Sequence, residues 1–195
     1  MSIYNYIYYS PLLDATSMFV LQSGSAQPLW NTYAGGMSTI AVESASGAGT
    51  YVTDHSPDNL FDGKFSTRYT SRGNSSSGTN MIAGLNTGFY VTVAQCQPTL
   101  TMFRFATASG AYPPTGDPLV VTVEGTDCDT LSNCTSWTLL YTGTTGLDTV
   151  TNRSSFGTFE TIPSPQKFTS YRFLITEKRN SSNSVAYSEV ELYGY

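Results

Sequence analysis

Short runs of β-branched and aromatic residues, separated by loops rich in Gly, Pro, Asn and Ser, make up most of the sequence after residue 37. Segments such as SGAYPPTGD and TSRGNSSSGTN carry the residue clusters that mark turns, and no stretch has a helical period of convincing length. The pattern predicts an all-β fold, a sandwich of two sheets. The expected strands are FYVTVAQ (89–95), LTMFRFATA (100–108), LVVTVEG (119–125), SWTLLYTG (136–143), SYRFLITEK (170–178) and VAYSEVELYGY (185–195).

The first 36 residues form a different kind of segment. Nineteen of them are apolar or aromatic, and Asp14 is their only charged residue, so a solvated linker is a poor description of this arm. The arm begins with a segment that would carry large side chains on both faces of an extended strand. Because strand side chains alternate, its tyrosines at 4, 6 and 8 share one face, and Ile3, Ile7 and Tyr9 share the other. The candidate assembly residues on these two faces are Ile3, Tyr4, Tyr6, Ile7, Tyr8 and Tyr9.

The arm has two candidate destinations. It can add strands to its own sandwich, or it can pair with an edge strand of a neighbouring subunit, where unpaired N–H and C=O groups accept a donated strand. A strand apolar on both faces favours enclosure between two surfaces. We therefore divide the chain into an arm, residues 1–36, and a sandwich, residues 37–195.

The composition favours an extracellular protein. Only 12% of residues are charged, which is unusual for cytosolic α/β enzymes. Four sequons fit the N-glycosylation pattern, although a chain rich in Asn, Ser and Thr also produces sequons by chance. The candidate glycosylation sites are Asn74, Asn133, Asn152 and Asn180.

Three cysteines leave one unpaired if a bridge forms. Cys128 and Cys134 enclose a short polar loop, and we predict a disulfide between them. Cys96 is the odd thiol and a candidate for cross-linking neighbouring molecules. One histidine and no CxxC spacing argue against a zinc site.

Charge and hydropathy exclude two classes of partner. The net charge is −5 and the first basic residue is Lys64, so the chain lacks the basic face that nucleic-acid binding requires. No apolar run approaches the roughly 18 to 20 residues of a membrane span, which argues against membrane insertion. The sequence also lacks a recognisable signal peptide, which is expected to be absent or already removed.

The motif DNLFDGKFSTRY (58–69), followed by LTMFRFATA, GDPLVVTVEG, SWTLLYTG and FTSYRFLITEKRNSSNSVAYSEVELYG, resembles the discoidin-like domain. This family is also called coagulation-factor C-type or galactose-binding-like. The resemblance covers residues 38 to 195 in the family's order. It implies a jelly-roll sandwich of two antiparallel sheets that binds carbohydrate, lipid or protein.

The resemblance also implies a structural Ca²⁺ site at the NLFDG turn. Its ligands here would be the Asn59 carbonyl, Asp62, Thr67 and Glu189, a set of hard oxygen donors that suits calcium. The alternative is that Asp62 belongs to an ordinary turn and that the other residues are unremarkable side chains near the sheet edge. The Trp that often follows the family's Thr is Tyr69 here, and the family's terminal cysteine pair is absent.

Glycan contact requires aromatic and hydrogen-bonding side chains on loops at one end of the sandwich. The candidates are Arg68, Tyr69, Arg72 and Tyr112. Solvated loop side chains, or a core position for Tyr69, are the alternative interpretation.

An enzyme is not expected. The single histidine, His55, lies in a turn-like stretch without a nucleophile elbow, and the resemblance gives Glu124 and Glu189 structural positions rather than a catalytic pairing. We predict a secreted, glycosylated structural or adhesive subunit that assembles with itself, as an oligomer or filament, through the arm. The alternative is a calcium-dependent carbohydrate-binding or cell-surface-binding module.

Overall fold

The computed structural model describes residues 17–19, 26–75, 78–93 and 98–195. Three short 3-10 turns and twelve strands form this part of the chain. The turns are Pro57–Leu60, Pro114–Gly116 and Leu131–Asn133. The strands are β1 Ser17–Met18, β2 Ala26–Leu29, β3 Val42–Glu43, β4 Thr50–Tyr51, β5 Tyr69–Gly73, β6 Thr87–Thr92, β7 Leu100–Thr107, β8 Pro118–Thr126, β9 Thr138–Thr144, β10 Glu160–Thr161, β11 Ser170–Lys178 and β12 Val185–Gly194.

The strands form two sheets, which confirms the predicted all-β sandwich. One sheet has the order β10-β7-β12-β5-β4-β3, with β1 paired to the C-terminal end of β12. The other has the order β2-β6-β11-β8-β9. All pairs are antiparallel except β3 with β4. The six strands expected from the sequence correspond to β6, β7, β8, β9, β11 and β12.

Alternating aromatic and branched side chains fill the space between the sheets, because strand residues point alternately to the core and away from it. Phe89 of β6 stacks on Phe173 of β11 at 5.1 Å between ring centroids. Phe103 of β7 meets Phe173 edge-on at 5.6 Å, so the two sheets contact each other through aromatic pairs. Every one of these three rings is fully buried.

The described part of the arm belongs to this same sandwich. Residues 26–29 form β2, whose Pro28 lies opposite Phe89 of β6. Ser17 lies opposite Gly194 in β12, and the Phe19 amide donates to the Leu192 carbonyl at 2.7 Å. Residues 17–19 and 26–36 are therefore packed on their own chain. The assembly residues proposed at positions 3 to 9 lie outside the described residues.

Candidate functional site

The NLFDG turn connects the core to an exposed loop. Leu60 ends the first 3-10 turn and is fully buried, and the Phe61 ring meets Phe89 edge-on at 5.7 Å. Asp62 and Gly63 follow as an exposed turn, in which Gly63 has a φ of +73° that disfavours residues with a side chain. Two anchored apolar residues thus fix the position of the Asp62 carboxylate.

The structure brings together three of the four predicted metal ligands. The Thr67 hydroxyl lies 3.0 and 2.9 Å from the two Asp62 carboxylate oxygens and 2.8 Å from the Lys64 carbonyl oxygen. The Lys64 amide donates to Asp62 Oδ1 at 2.9 Å and to Glu189 Oε1 at 2.7 Å. Strand β12 therefore delivers Glu189 to a turn 125 residues earlier in the chain.

Glu189 is buried, and its pKa is raised to about 7. Burial is the main cause, because loss of water disfavours the charged carboxylate. A hydrogen bond with Asp62 and the charge of that residue act in the same direction, while the Lys64 amide opposes them. A divalent cation between these two carboxyl groups would stabilise their charged forms, because it would offset the repulsion between them.

The oxygen donors here fit calcium better than a transition metal. The described residues contain no group of three or more His, Cys, Asp and Glu side chains placed to hold an ion, so a metal would depend on hydroxyl and carbonyl oxygens as well. Ca²⁺ accepts such mixed oxygen ligands. The Asn59 side-chain amide donates to the carbonyls of Asp54 and Arg68, both at 2.9 Å, and so links both ends of this loop.

Arg68 and Tyr112, two of the predicted ligand-binding residues, lie together. The Arg68 guanidinium lies 5.5 Å from the centre of the Tyr112 ring, within the range of a cation–π contact. Both side chains are half-buried. The Tyr112 hydroxyl is 2.5 Å from Ser184 Oγ, which positions the ring, and burial raises the pKa of Tyr112.

A charged cluster supports the loop behind Tyr112. Asp117 is fully buried, and its Oδ2 lies 2.6 Å from Arg153 Nη1 and 3.4 Å from Arg179 Nε. Arg179 also donates to the carbonyls of Leu147, Asp148 and Val150. These bonds join the loops that follow β7, β9 and β11 at one end of the sandwich.

The other two predicted ligand-binding residues have structural positions. Tyr69 is fully buried in the core, where its hydroxyl donates to the Gly88 carbonyl at 3.1 Å, so a ligand cannot reach it in this structure. Arg72 donates to the Ser44 and Ala45 carbonyls and to Thr50 Oγ1. Its guanidinium therefore ties the loop after β3 to β4 and β5.

The predicted disulfide and the predicted glycosylation sites lie on loops. A disulfide joins Cys128 and Cys134, while Cys96 lies outside the described residues. All four sequon asparagines, Asn74, Asn133, Asn152 and Asn180, are exposed, as an acceptor for a glycan must be.

The residues considered for catalysis lie in different parts of the fold. His55 lies in a loop, where burial and then the charge of Arg68 lower its pKa. Glu124 and Glu189 lie on strands of different sheets. Glu124 is fully buried, and its Oε2 is 2.6 Å from Arg172 Nη2.

This buried ion pair is the main feature that the sequence analysis missed. Arg172 also donates to the Gly36 carbonyl at 2.9 Å and to Ser38 Oγ at 3.0 Å, while Trp137 covers it at 4.0 Å from its ring centre. The one signal in the sequence is a charged residue inside the apolar run SYRFLITEK.

Sequence comparison finds no match among protein-family profiles or curated proteins. The described residues include no helix with the length and apolar character that a membrane crossing needs. The fold, by contrast, resembles many solved structures.

Three of these structures are family 32 carbohydrate-binding modules of Clostridium perfringens. The module of NanJ, in complex with galactose, has a TM-score of 0.56 at 9% identity, over 92% of this chain and 99% of that one. The third such module of a family 31 glycoside hydrolase has a TM-score of 0.55 at 14% identity, over 91% and 95%. The fifth module of a family 89 hydrolase, in complex with GalNAc-β-1,3-galactose, has a TM-score of 0.53 at 12% identity, over 90% and 99%.

The chain thus has the discoidin-like, galactose-binding-like fold, which confirms the resemblance found in its sequence. At these identities the likeness establishes the fold and not the ligand.

Proposed function

We propose that this protein is a secreted, non-catalytic carbohydrate-binding protein whose glycan site is formed by the loops around Arg68 and Tyr112. The observation that carries the proposal is the contact between the Arg68 guanidinium and the Tyr112 ring at 5.5 Å. An aromatic ring beside a hydrogen-bond donor suits a sugar, which presents an apolar face and a rim of hydroxyl groups. The solved structures with galactose and GalNAc-β-1,3-galactose support the ligand class.

Calcium has a specific role in this proposal. Asp62, Thr67, Glu189 and the Asn59 carbonyl would hold the ion, which would supply positive charge to the paired carboxyl groups. Thr67 directly precedes Arg68, and the Arg68 carbonyl accepts from the Asn59 amide. An ion at this position would therefore fix the backbone that presents Arg68, and glycan binding would depend on calcium.

An extracellular location is consistent with the disulfide and with the exposed sequons. Self-assembly through residues 3–9 stays a prediction, and glycan binding does not require it.

The function is tested on a glycan array, followed by calorimetry with the glycan that binds best. Arg68→Ala and Tyr112→Ala are each expected to weaken binding at least about tenfold, because each removes a contact worth about 1 to 3 kcal/mol. Tyr195→Ala is the matched control, since Tyr195 is an exposed tyrosine at the end of β12. Binding that survives both loop substitutions would place the glycan elsewhere, and an array without any bound glycan would refute the proposal.

The calcium site is tested by thermal unfolding in EDTA and in millimolar CaCl₂. We expect calcium to raise the melting temperature of the native protein, because binding to the folded state alone stabilises it. Asp62→Asn should remove most of that increase, whereas Glu177→Gln, at an exposed position of β11, should preserve it. Equal melting temperatures of the native protein in both buffers would contradict a calcium site.

A further inference from the structure

The outer face of the five-stranded sheet carries a row of polar and aromatic side chains. Gln27 of β2 lies opposite Tyr90 of β6, and Tyr90 lies opposite Arg172 of β11. Residues directly opposite in antiparallel strands share a face of the sheet. Phe89 and Val91, on either side of Tyr90, are fully buried in the core, so this row faces away from it.

A loop covers one part of this face. The Gly35 amide donates to Glu124 Oε1 at 2.6 Å, and the Arg172 guanidinium donates to the Gly36 carbonyl and to Ser38 Oγ. Tyr90, one strand away from Arg172, remains only half-buried. Among the described residues, the surface around Tyr90 beyond the loop is therefore open to solvent.

A groove of about 450 Å³ occupies that surface. This volume lies within the range of small-molecule sites. Strand residues form its floor, and the loop enclosed by the disulfide forms its wall. The lining residues are Gln27, Tyr90, Thr92, Asp129, Thr130, Leu131 and Ser132.

The wall of the groove is held in place by several bonds. The disulfide between Cys128 and Cys134 closes the loop, and Thr126 Oγ1 donates to the Ser136 carbonyl at 2.9 Å. Asp127 Oδ1 accepts from the Thr169 amide at 2.8 Å. A site with a fixed wall loses less conformational entropy when a ligand binds.

The lining has the chemistry that recognises sugar hydroxyls. It combines a tyrosine, an amide, three hydroxyl side chains, one leucine and one carboxylate. Within the described residues, neither the Asp129 carboxylate nor the Tyr90 hydroxyl has a hydrogen-bond partner. A carboxylate accepts two hydrogen bonds in parallel, which suits adjacent hydroxyl groups of one sugar ring.

We propose that this groove is a second glycan site, which takes a neutral oligosaccharide. The inference rests on the proposed function, because it assigns the same class of ligand to a different surface. Asp129 lines the groove and Asp127 directly precedes the disulfide loop, and their charge disfavours uronic-acid and sulfated sugars. Two sites on one protein would allow it to hold two branches of a glycan, or two chains, at once.

NMR titration of the ¹⁵N-labelled full chain distinguishes glycan binding at the groove from glycan binding at the loops around Arg68 and Tyr112. The probes are neutral trisaccharides of galactose, glucose, mannose and N-acetylglucosamine, with trigalacturonic acid as the acidic comparison. We expect a neutral trisaccharide to shift amides of residues 90–92 and 129–132. Tyr90→Ala and Asp129→Ala should each weaken that binding at least about tenfold, and Tyr195→Ala and Glu177→Ala should leave it unchanged.

The outcomes distinguish this inference from the proposed function. Shifts confined to the loops around Arg68 and Tyr112 would overturn the groove and leave the proposed function intact. Shifts at the groove that persist in Arg68→Ala and Tyr112→Ala would establish a separate site. Equal or tighter binding of trigalacturonic acid at the groove would overturn its assignment to neutral sugars. No shift with any probe would overturn both proposals.

Discussion

Burial and hydrogen bonding decide what single residues do in this protein. Arg68 and Arg72 are close in sequence and chemically identical, yet Arg72 is engaged by backbone carbonyls and a threonine hydroxyl, while Arg68 lies over a tyrosine ring. Neither position could be read from a single sequence, because the partners come from distant loops. Tyr69 shows the same limit, since the sequence left both a ligand-binding and a core position open, and the structure places its side chain in the core.

The Arg172–Glu124 pair gives a prediction at this scale. Glu124→Leu should lower the free energy of unfolding by about 3 to 5 kcal/mol, because it leaves a buried guanidinium without its counter-charge. The double variant Glu124→Leu/Arg172→Met should recover much of this loss, since it removes both charges. Urea denaturation measures both values.

The loop above the pair provides a second readout. Residues 35 and 36 bond directly to the pair, so their amides should exchange with deuterium faster in both variants. A double variant less stable than Glu124→Leu would contradict the prediction, because it would mean that the lone guanidinium carries no penalty.

At the scale of the element, sequence reasoning succeeded where strands are long. The six predicted strands have six to ten residues in the structure, enough for composition to identify them. Strands β1, β3, β4 and β10 have two residues each, and a period of two cannot be recognised over that length. Pairing with a neighbouring strand, and not local propensity, creates them.

Strand β1 supplies the prediction for an element. Removal of residues 1–19 should lower the free energy of unfolding by about 2 to 4 kcal/mol, through lost backbone hydrogen bonds and loss of the partly buried Phe19 ring. It also exposes the edge of β12, which favours aggregation. Removal of residues 1–16 leaves β1 in place and serves as the control. Equal stability of the two truncated proteins would show that β1 contributes little.

For the whole molecule, the resemblance seen in the sequence identified the fold correctly, because its motifs include the long strands β7, β8, β9, β11 and β12 in their order along the chain. The candidate calcium ligands came from the same source, and the structure brings Asp62, Thr67 and Glu189 together. The groove on the outer face had no such signal, since its lining joins β2, β6 and the disulfide loop, which are separate in sequence.

Light scattering of the full chain beside the protein lacking residues 1–16 would test the predicted self-assembly.

Strand β12 begins one residue after Ser184, which contacts Tyr112, and ends beside β1, where Gly194 lies opposite Ser17. Its ten residues separate the Tyr112 loop from Tyr195. A support, a fluorescent label or a fused protein attached after Tyr195 would consequently leave the Tyr112 loop pointing outward. An attachment at Tyr195 would therefore lie at the opposite end of β12 from the proposed loop site.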